Sequence, residues 1–225
     1  MKRRSLVGLL VWVGAGTTGG PACAQAPVAR PAAEWAIKAA FLPLLADGYH
    51  LQAERFFANS RHSLCLTPQW YQGRTTAFTS EPTEGGYGQV RGGGVELQHR
   101  IYLGPQPERA EGAYVAYGPI WQRFTMDYQA VGSWQQAQAA NGLTYYDYRL
   151  GNQTETINRW GASAVAGKQL PLLGTPLVLD LYAGLGWRAV RTRSTATPGR
   201  FASGLNDYGH HGVFVPVGVR LGWVL

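Results

Sequence analysis

From Val213 to Leu225 the chain reads V-F-V-P-V-G-V-R-L-G-W-V-L, and every second residue is large and apolar: Val213, Val215, Val217, Val219, Leu221, Trp223 and Leu225. The residues between them include Pro216, Gly218, Arg220 and Gly222. Successive side chains of a strand point to opposite faces, so the segment is predicted to form a strand with one continuous apolar face and one that accepts a charge. At the end of a soluble domain such a strand would be an exposed, aggregation-prone edge. In a closed transmembrane barrel it is the closing stave, with its apolar face in lipid.

The same alternation recurs upstream and predicts eight strands: 35–42, 49–57, 63–71, 93–103, 113–124, 159–170, 177–190 and 213–225. In the fourth, Val95, Leu97, His99, Ile101 and Leu103 alternate with Glu96, Gln98, Arg100 and Tyr102. In the seventh, Leu177, Leu179, Leu181, Ala183, Leu185 and Trp187 alternate with Val178, Asp180, Tyr182, Gly184, Gly186 and Arg188. Pro119 inside the fifth points to a bulge or an early end to pairing. Connections after the second, fourth and sixth strands are short, and those after the third, fifth and seventh are long; the first, Pro43 to Gly48, is also short. This rhythm matches a barrel with short periplasmic turns, longer outer loops and both termini in the periplasm. Thr125 to Asn158 is expected to be a long loop whose ends continue the strands, or else to hold an extra hairpin, which leaves eight against ten strands open. The expected fold class is therefore all-β, a closed antiparallel up-and-down transmembrane β-barrel, most simply of eight strands.

The N-terminus sets the compartment. Lys2, Arg3 and Arg4 precede an apolar stretch from Leu6 to Val13, and Ala22-Cys23-Ala24 makes a small-x-small cleavage site. This is the pattern of a cleaved secretory signal, too short to span a membrane as a helix. Lipidation at Cys23 is the weaker reading, because Gly20-Pro21-Ala22 lacks the large aliphatic residue expected before a lipidated cysteine. The expected organisation is a signal peptide over 1–24, a short periplasmic lead over 25–33 and the barrel over 34–225. Cleavage removes three basic residues and lowers the formal charge from +7 to +4, so the basic balance is no argument for nucleic acid.

Composition agrees. Charged residues make up 15%, against a usual ~25%, while the chain carries 30 Gly, 8 Trp and 12 Tyr. No apolar run reaches the ~18 residues of a transmembrane helix. After cleavage Cys65 stands alone between Leu64 and Leu66, where a small buried residue is expected, and no cysteine pair has metal-binding spacing.

The faces opposite the apolar ones carry Lys38, Glu54, Glu96, Arg100, Asp180, Arg188 and Arg220, with Gln52, Gln98 and Tyr182. An eight-stranded barrel is just wide enough to be filled by its own side chains. These charges are expected to pair into a polar plug, with Arg220 facing Glu54, Glu96 or Asp180; a proton or ion path, or a buried catalytic site, is the functional alternative. Trp35, Trp70, Trp121, Trp160, Trp187 and Trp223, with Tyr49, Tyr71, Tyr102 and Tyr117, fall near strand ends and are expected to form interfacial girdles; a sugar platform is the alternative. His210-His211 lies near Asp207, Tyr208 and Ser203, a set that would suit an ester hydrolase, but no nucleophile motif surrounds it. Gly92-Gly93-Gly94 is no phosphate cradle, because no helix follows. No cofactor and no metal are expected.

Val95-Glu96-Leu97-Gln98-His99-Arg100-Ile101-Tyr102-Leu103, followed by Gly112 to Pro119, resembles the small outer-membrane barrels typical of Bacteroidota, a domain of unknown function with OmpA/OmpX-like architecture. Leu51-Gln52-Ala53-Glu54-Arg55 and the ending Gly218 to Trp223 are similar to theirs too. The chain departs at His99-Arg100-Ile101-Tyr102, where a more aromatic Arg-Tyr-Tyr pattern is usual, and at Leu225, where Phe is commoner. The resemblance implies a fold and a membrane, and no activity. The expected function is a non-enzymatic, monomeric outer-membrane barrel acting through its outer loops on an unknown ligand. Its expected partners are outer-membrane lipid or lipopolysaccharide and the insertion machinery that reads the C-terminal strand. A lipid- or lipopolysaccharide-modifying barrel enzyme, a narrow channel or transporter, and a soluble lipocalin-like barrel are the alternatives.

Overall fold

The computed structural model describes residues 34–225 except 59, 77–78, 81–82, 84, 104–110, 173, 196–200, 202–203 and 205, and omits the side chain of residue 131. The expected signal peptide and lead lie outside the described residues. Among the described residues there are nine strand segments: β1 (Trp35–Ala40), β2 (Gly48–Phe56), β3 (His62–Arg74), β4 (Gln89–Tyr102), β5 (Gly112–Gln138), β6 (Thr144–Pro171), β7 (Leu177–Ser194), β8 (Gly212–Phe214) and β9 (Val217–Val224). Each pairs antiparallel with its sequence neighbour from β1 to β7, β7 pairs with both β8 and β9, and β9 pairs with β1. The sheet is therefore a closed ring.

β8 and β9 are one stave. Gly186 faces Phe214 and Ala183 faces Val217 in a single unshifted register. The predicted strand 213–225 is interrupted at Pro216 because proline has no N–H to give the ladder. Its carbonyl still accepts from the Gly184 N–H at 2.9 Å. The ring thus has eight staves. Pro119, by contrast, pairs with Ala162 without a register shift, and the bulge lies higher up, between Ala130 and Gly132.

Followed round the ring from Ala36 through Glu54, Cys65, Gln98, Ser163 and Gly186, the registers arrive at Phe214, whereas Ala36 itself faces Val224. That stagger of ten residues over eight staves corresponds to a strand tilt of about 40°. Tilt and closure bring one set of side chains inward on every stave: Ala36, Lys38 and Ala40 are buried while Trp35, Ile37 and Ala39 are exposed.

Thr125–Asn158 is neither a loop nor an added hairpin pair. β5 and β6 simply run on, paired from Gly112–Gln169 to Gln138–Thr144, and residues 139–143 form the tip. The alternation that defines this extension has the opposite sense to that of the wall below. Phe124, Met126, Tyr128 and Ile157 point inward and are buried, while Thr125, Asp127, Thr154 and Thr156 point outward. Below the level of Trp121 and Trp160 the outward set is apolar, and the inward set carries the buried charges above an apolar floor. An expectation of apolar-out wall strands therefore passes over a segment that is apolar-in. A 3₁₀ turn over Leu42–Ala46 closes the β1–β2 connection, with Asp47 in the left-handed region at φ 50°.

Small inward residues let neighbouring staves approach. A Cβ on Gly184 would sit inside contact distance of the Ala164 carbonyl oxygen and the Val165 Cα. Gly184→Val should push β7 from β6 and lower stability by about 1–3 kcal/mol, as overpacking does elsewhere. A shifted urea midpoint of the folded barrel checks this; an unchanged midpoint would contradict the register.

Candidate functional site: the barrel lumen

The lumen is filled in three storeys. At the end carrying the short turns, Ala36, Phe56, Tyr102, Tyr114, Val178 and the half-buried Val224 make an apolar floor. Above it lies the charged layer. Lys38 Nζ is 2.5 Å from Glu54 Oε2 and 3.3 Å from Asp180 Oδ2, and Arg100 donates to the same two oxygens at 3.1 and 3.3 Å. Arg220 Nη1 stands 3.6 Å from Asp180 Oδ2. All five residues are at most 3% exposed.

Neutral donors complete the two carboxylates. Ser63 Oγ donates to Glu54 at 2.5 Å, Tyr102 at 2.7 Å and Gln169 at 3.1 Å, while Tyr114 donates to Asp180 at 2.5 Å. The guanidinium of Arg100 lies 3.8 Å over the Tyr114 ring, and that of Arg220 lies 3.8 Å over Tyr182. Burying ions is costly unless geometry is close and the polar atoms are filled; here the oxygens of both carboxylates are filled, while Arg100 Nε and Arg220 Nε and Nη1 are buried without a hydrogen-bond partner. Cations stacked on aromatic faces gain further in a dry interior.

The structure brings together Lys38, Glu54, Arg100, Asp180 and Arg220, and places Glu96 and Arg188 apart from them. Glu96 accepts from Gln98 at 2.9 Å and Ser163 at 3.1 Å. Arg188 belongs to the third storey, the mouth, where it donates to the His210 carbonyl at 2.9 Å and the Asp207 carbonyl at 3.4 Å. Arg159 donates to the Tyr208 carbonyl at 3.2 Å and to Gln122. Phe201 and Tyr208 are thereby held in the apolar cluster with Tyr71, Phe124, Met126 and Ile157. The Tyr208 hydroxyl donates to the Ala46 carbonyl at 3.0 Å, and burial pushes this phenol above its ordinary value, so it stays protonated. Phe201, Gly204 and residues 206–210 form a lid seated in the barrel mouth.

Several of these partners give no sequence signal of charge. Ser63, Tyr114 and Gln169 could be assigned only once the registers were known; Arg159 and Tyr208 fall in segments that read as a strand start and a loop. Tyr71 and Tyr102, expected in the girdles, are instead buried inside at 6% and 4%. Inward parity on β3 and β4 decides this. The six tryptophans of the expected girdles all lie on the outer face, each between 42% and 60% exposed.

His210 and His211 make no catalytic arrangement among the described residues. His210 Nε2 is 3.2 Å from the Val213 carbonyl, and His211 packs edge-on to Trp187. Asp207 accepts from the Gly204 N–H at 2.7 Å. Ser203 lies outside the described residues. Among them, no group of three or more His, Cys, Asp or Glu could hold a metal ion.

No family model matches the chain, and no curated protein matches it. Among solved structures it is similar to the crystal structure of Acinetobacter baumannii CarO, with 12% identity, a TM-score of 0.42, and coverage of 84% of this chain and 97% of that one.

Glu54 is the hinge of the charged layer, since it pairs with two cations at once. Glu54→Ala should cost about 3–5 kcal/mol by leaving Lys38 and Arg100 with Asp180 alone. Urea unfolding of the purified barrel measures it, and a loss below ~1 kcal/mol would mean that the layer is hydrated rather than dry.

Proposed function

We propose that the chain is an integral outer-membrane β-barrel protein that crosses the bilayer with eight staves and acts without catalysis, through its outer surface and its projecting hairpin. The observation that carries this reading is the outer wall. Leu51, Leu64, Leu66, Val95, Leu97, Val115, Leu181, Leu185 and Val217 are all exposed, each 38% or more, and register places them in one band round the ring. Soluble proteins rarely expose an apolar surface of that extent. From Trp223 to Val213 the last stave advances ten residues, which at a tilt of about 40° is a height of about 25 Å, the span of a membrane barrel's apolar belt.

The edges of the band support the same reading. Trp35 and Trp223 mark its lower rim, and Tyr49, Trp70, Trp121, Trp160 and Trp187 its upper rim, as amphipathic rings at two lipid–water boundaries would. Above the upper rim the wall turns polar outside and apolar inside, which suits water rather than lipid. The packed lumen supports a barrel that does not conduct. The resemblance of Val95 to Leu103 and of the ending Gly218 to Trp223 to the small Bacteroidota barrels supports the same reading. Beyond the bulge, Trp134, Tyr145, Tyr146 and Tyr148 stand exposed on the hairpin, where a surface role would be exerted.

Three measurements test the reading. The protein should need detergent for extraction and should migrate faster on a gel unheated than boiled. Val217→Arg and Val219→Arg should each oppose folding into lipid vesicles by about 2–4 kcal/mol, and normal assembly of both would reject the lipid-facing assignment. Planar bilayers carrying the wild type should show no single-channel current; steady conductance would replace the closed barrel with a channel.

A further inference from the structure

Above the upper tryptophan rim the outward positions of β4 to β7 form a lattice whose chemistry is unlike the rest of the wall. One row runs Arg91, Thr125, Thr156, Arg193, each residue facing the next across a strand pair. The row beneath runs Gly93, Arg123, Asn158, Arg191. Beneath that come Val95, Trp121 and Trp160. All four arginines are exposed, and none forms an ion pair among the described residues. The nearest carboxylate on the outward face among the described residues is Asp127, one outward position above the upper row, and it already accepts from Thr154 at 2.8 Å; Glu155, beside Thr156, points inward and is buried. The interior pairs its charges closely; this outer patch keeps four cations and three neutral hydrogen-bonding side chains with no ion-pair partner among the described residues.

Two adjoining grooves open on the patch. One, of about 670 Å³, lies between Trp70 and Trp121 over Gly93, with Arg91 and Arg123 at its upper end. The second, of about 470 Å³, lies between Trp121 and Trp160, with Arg191 and Arg193 above. The three successive glycines do different things here. Gly92 and Gly94 point inward, where a Cβ would press on Phe124 and Gln122. Gly93 points outward, and its missing side chain is the floor of the first groove. A Cβ there would meet only the Gln69 carbonyl oxygen, at 3.2 Å, so the backbone does not demand glycine as strongly as at the other two.

We infer that this patch binds a phosphorylated, acylated glycolipid of the outer leaflet. An acyl chain lies in the groove over Gly93, against the faces of Trp70 and Trp121, and phosphates are held by Arg91, Arg123, Arg191 and Arg193. The inference rests on the membrane reading above, which puts this level at the outer headgroup boundary. Guanidinium forks match phosphate oxygens in pairs, and Thr125, Thr156 and Asn158 supply donors between them. Arg91 and Arg193 are three strand spacings apart, about 14 Å. That width fits a headgroup carrying two separated phosphates better than a single phosphodiester.

The experiment uses the full barrel purified in detergent, with native mass spectrometry of bound bisphosphorylated lipid A and of the same lipid after chemical removal of both phosphates. The wild type should hold the phosphorylated form, and an R123Q/R191Q variant should hold it about tenfold or more weakly. The dephosphorylated lipid should show no preference between the two proteins, and millimolar inorganic phosphate should not displace the bound lipid. Gly93→Leu should weaken retention while leaving heat-modifiable migration intact. Equal retention by wild type and R123Q/R191Q, an equal loss in Lys168→Gln on the opposite end of the wall, or displacement by inorganic phosphate would each overturn the site. Extraction without detergent would overturn the membrane reading and the site with it. A detergent-requiring barrel indifferent to both variants would overturn the site alone.

Discussion

Closure of the hydrogen-bonded ring at β9 and β1 is the constraint on which the other features depend. Ala36 faces Val224 and Ala40 faces Arg220, and that seam joins the last stave to the first and closes the ring, while β8 above it pairs with β7 alone. Closure with a ten-residue stagger sets the tilt, the tilt sets the width, and the width leaves room inside for side chains alone. Once the ring is shut, parity on each stave assigns every residue to wall or lumen. A one-residue slip of any stave would send its charges outward and its leucines inward, so register is held by both faces at once.

The lumen shows how that assignment is made tolerable. Glu54 and Asp180 come from β2 and β7, far apart in sequence, and meet three cations from β1, β4 and the last stave. Each carboxylate also receives at least one neutral donor, so both anions are solvated by protein side chains as well as by the cations. Tyr114 and Tyr182 add ring faces beneath guanidinium groups, and the space for them comes from Gly167 and Gly218, where a Cβ would strike the phenol rings. The middle of the lumen is thus buried and polar at once. At the mouth the chemistry changes: Arg159 and Arg188 bind backbone carbonyls of the lid, and the filling is aromatic.

Much of the wall was legible from alternation. The eight staves were found near their observed positions, with the inward set Lys38, Glu54, Glu96, Arg100, Asp180, Arg188 and Arg220 on the buried or half-buried face. The upper halves of β5 and β6 were not legible. There the alternation inverts, with Phe124, Met126 and Ile157 inside, and a pattern reading tuned to apolar-out strands sees only a polar segment rich in tyrosine and tryptophan. Pro216 was visible in the sequence, but its effect was not: it breaks the ladder without shifting the register. Tyr71 and Tyr102 had the side chains of a girdle and the parity of the lumen, and parity decided.

What the sequence determined by itself is every property that depends on the two-residue period: the strands, their two faces, and the charge carried by the inward one. Side-chain direction along a strand is a local matter, so local pattern suffices. What only the tertiary structure decided is which inward residues meet. Arg220 could have faced Glu54, Glu96 or Asp180, and the registers round the ring bring it to Asp180 while leaving Glu96 to Gln98 and Ser163. The same registers place Arg91, Arg123, Arg191 and Arg193, drawn from three staves, on one patch of the outer wall. Proximity across a closed sheet is set by the stagger accumulated over all eight pairings, and no single segment contains that sum.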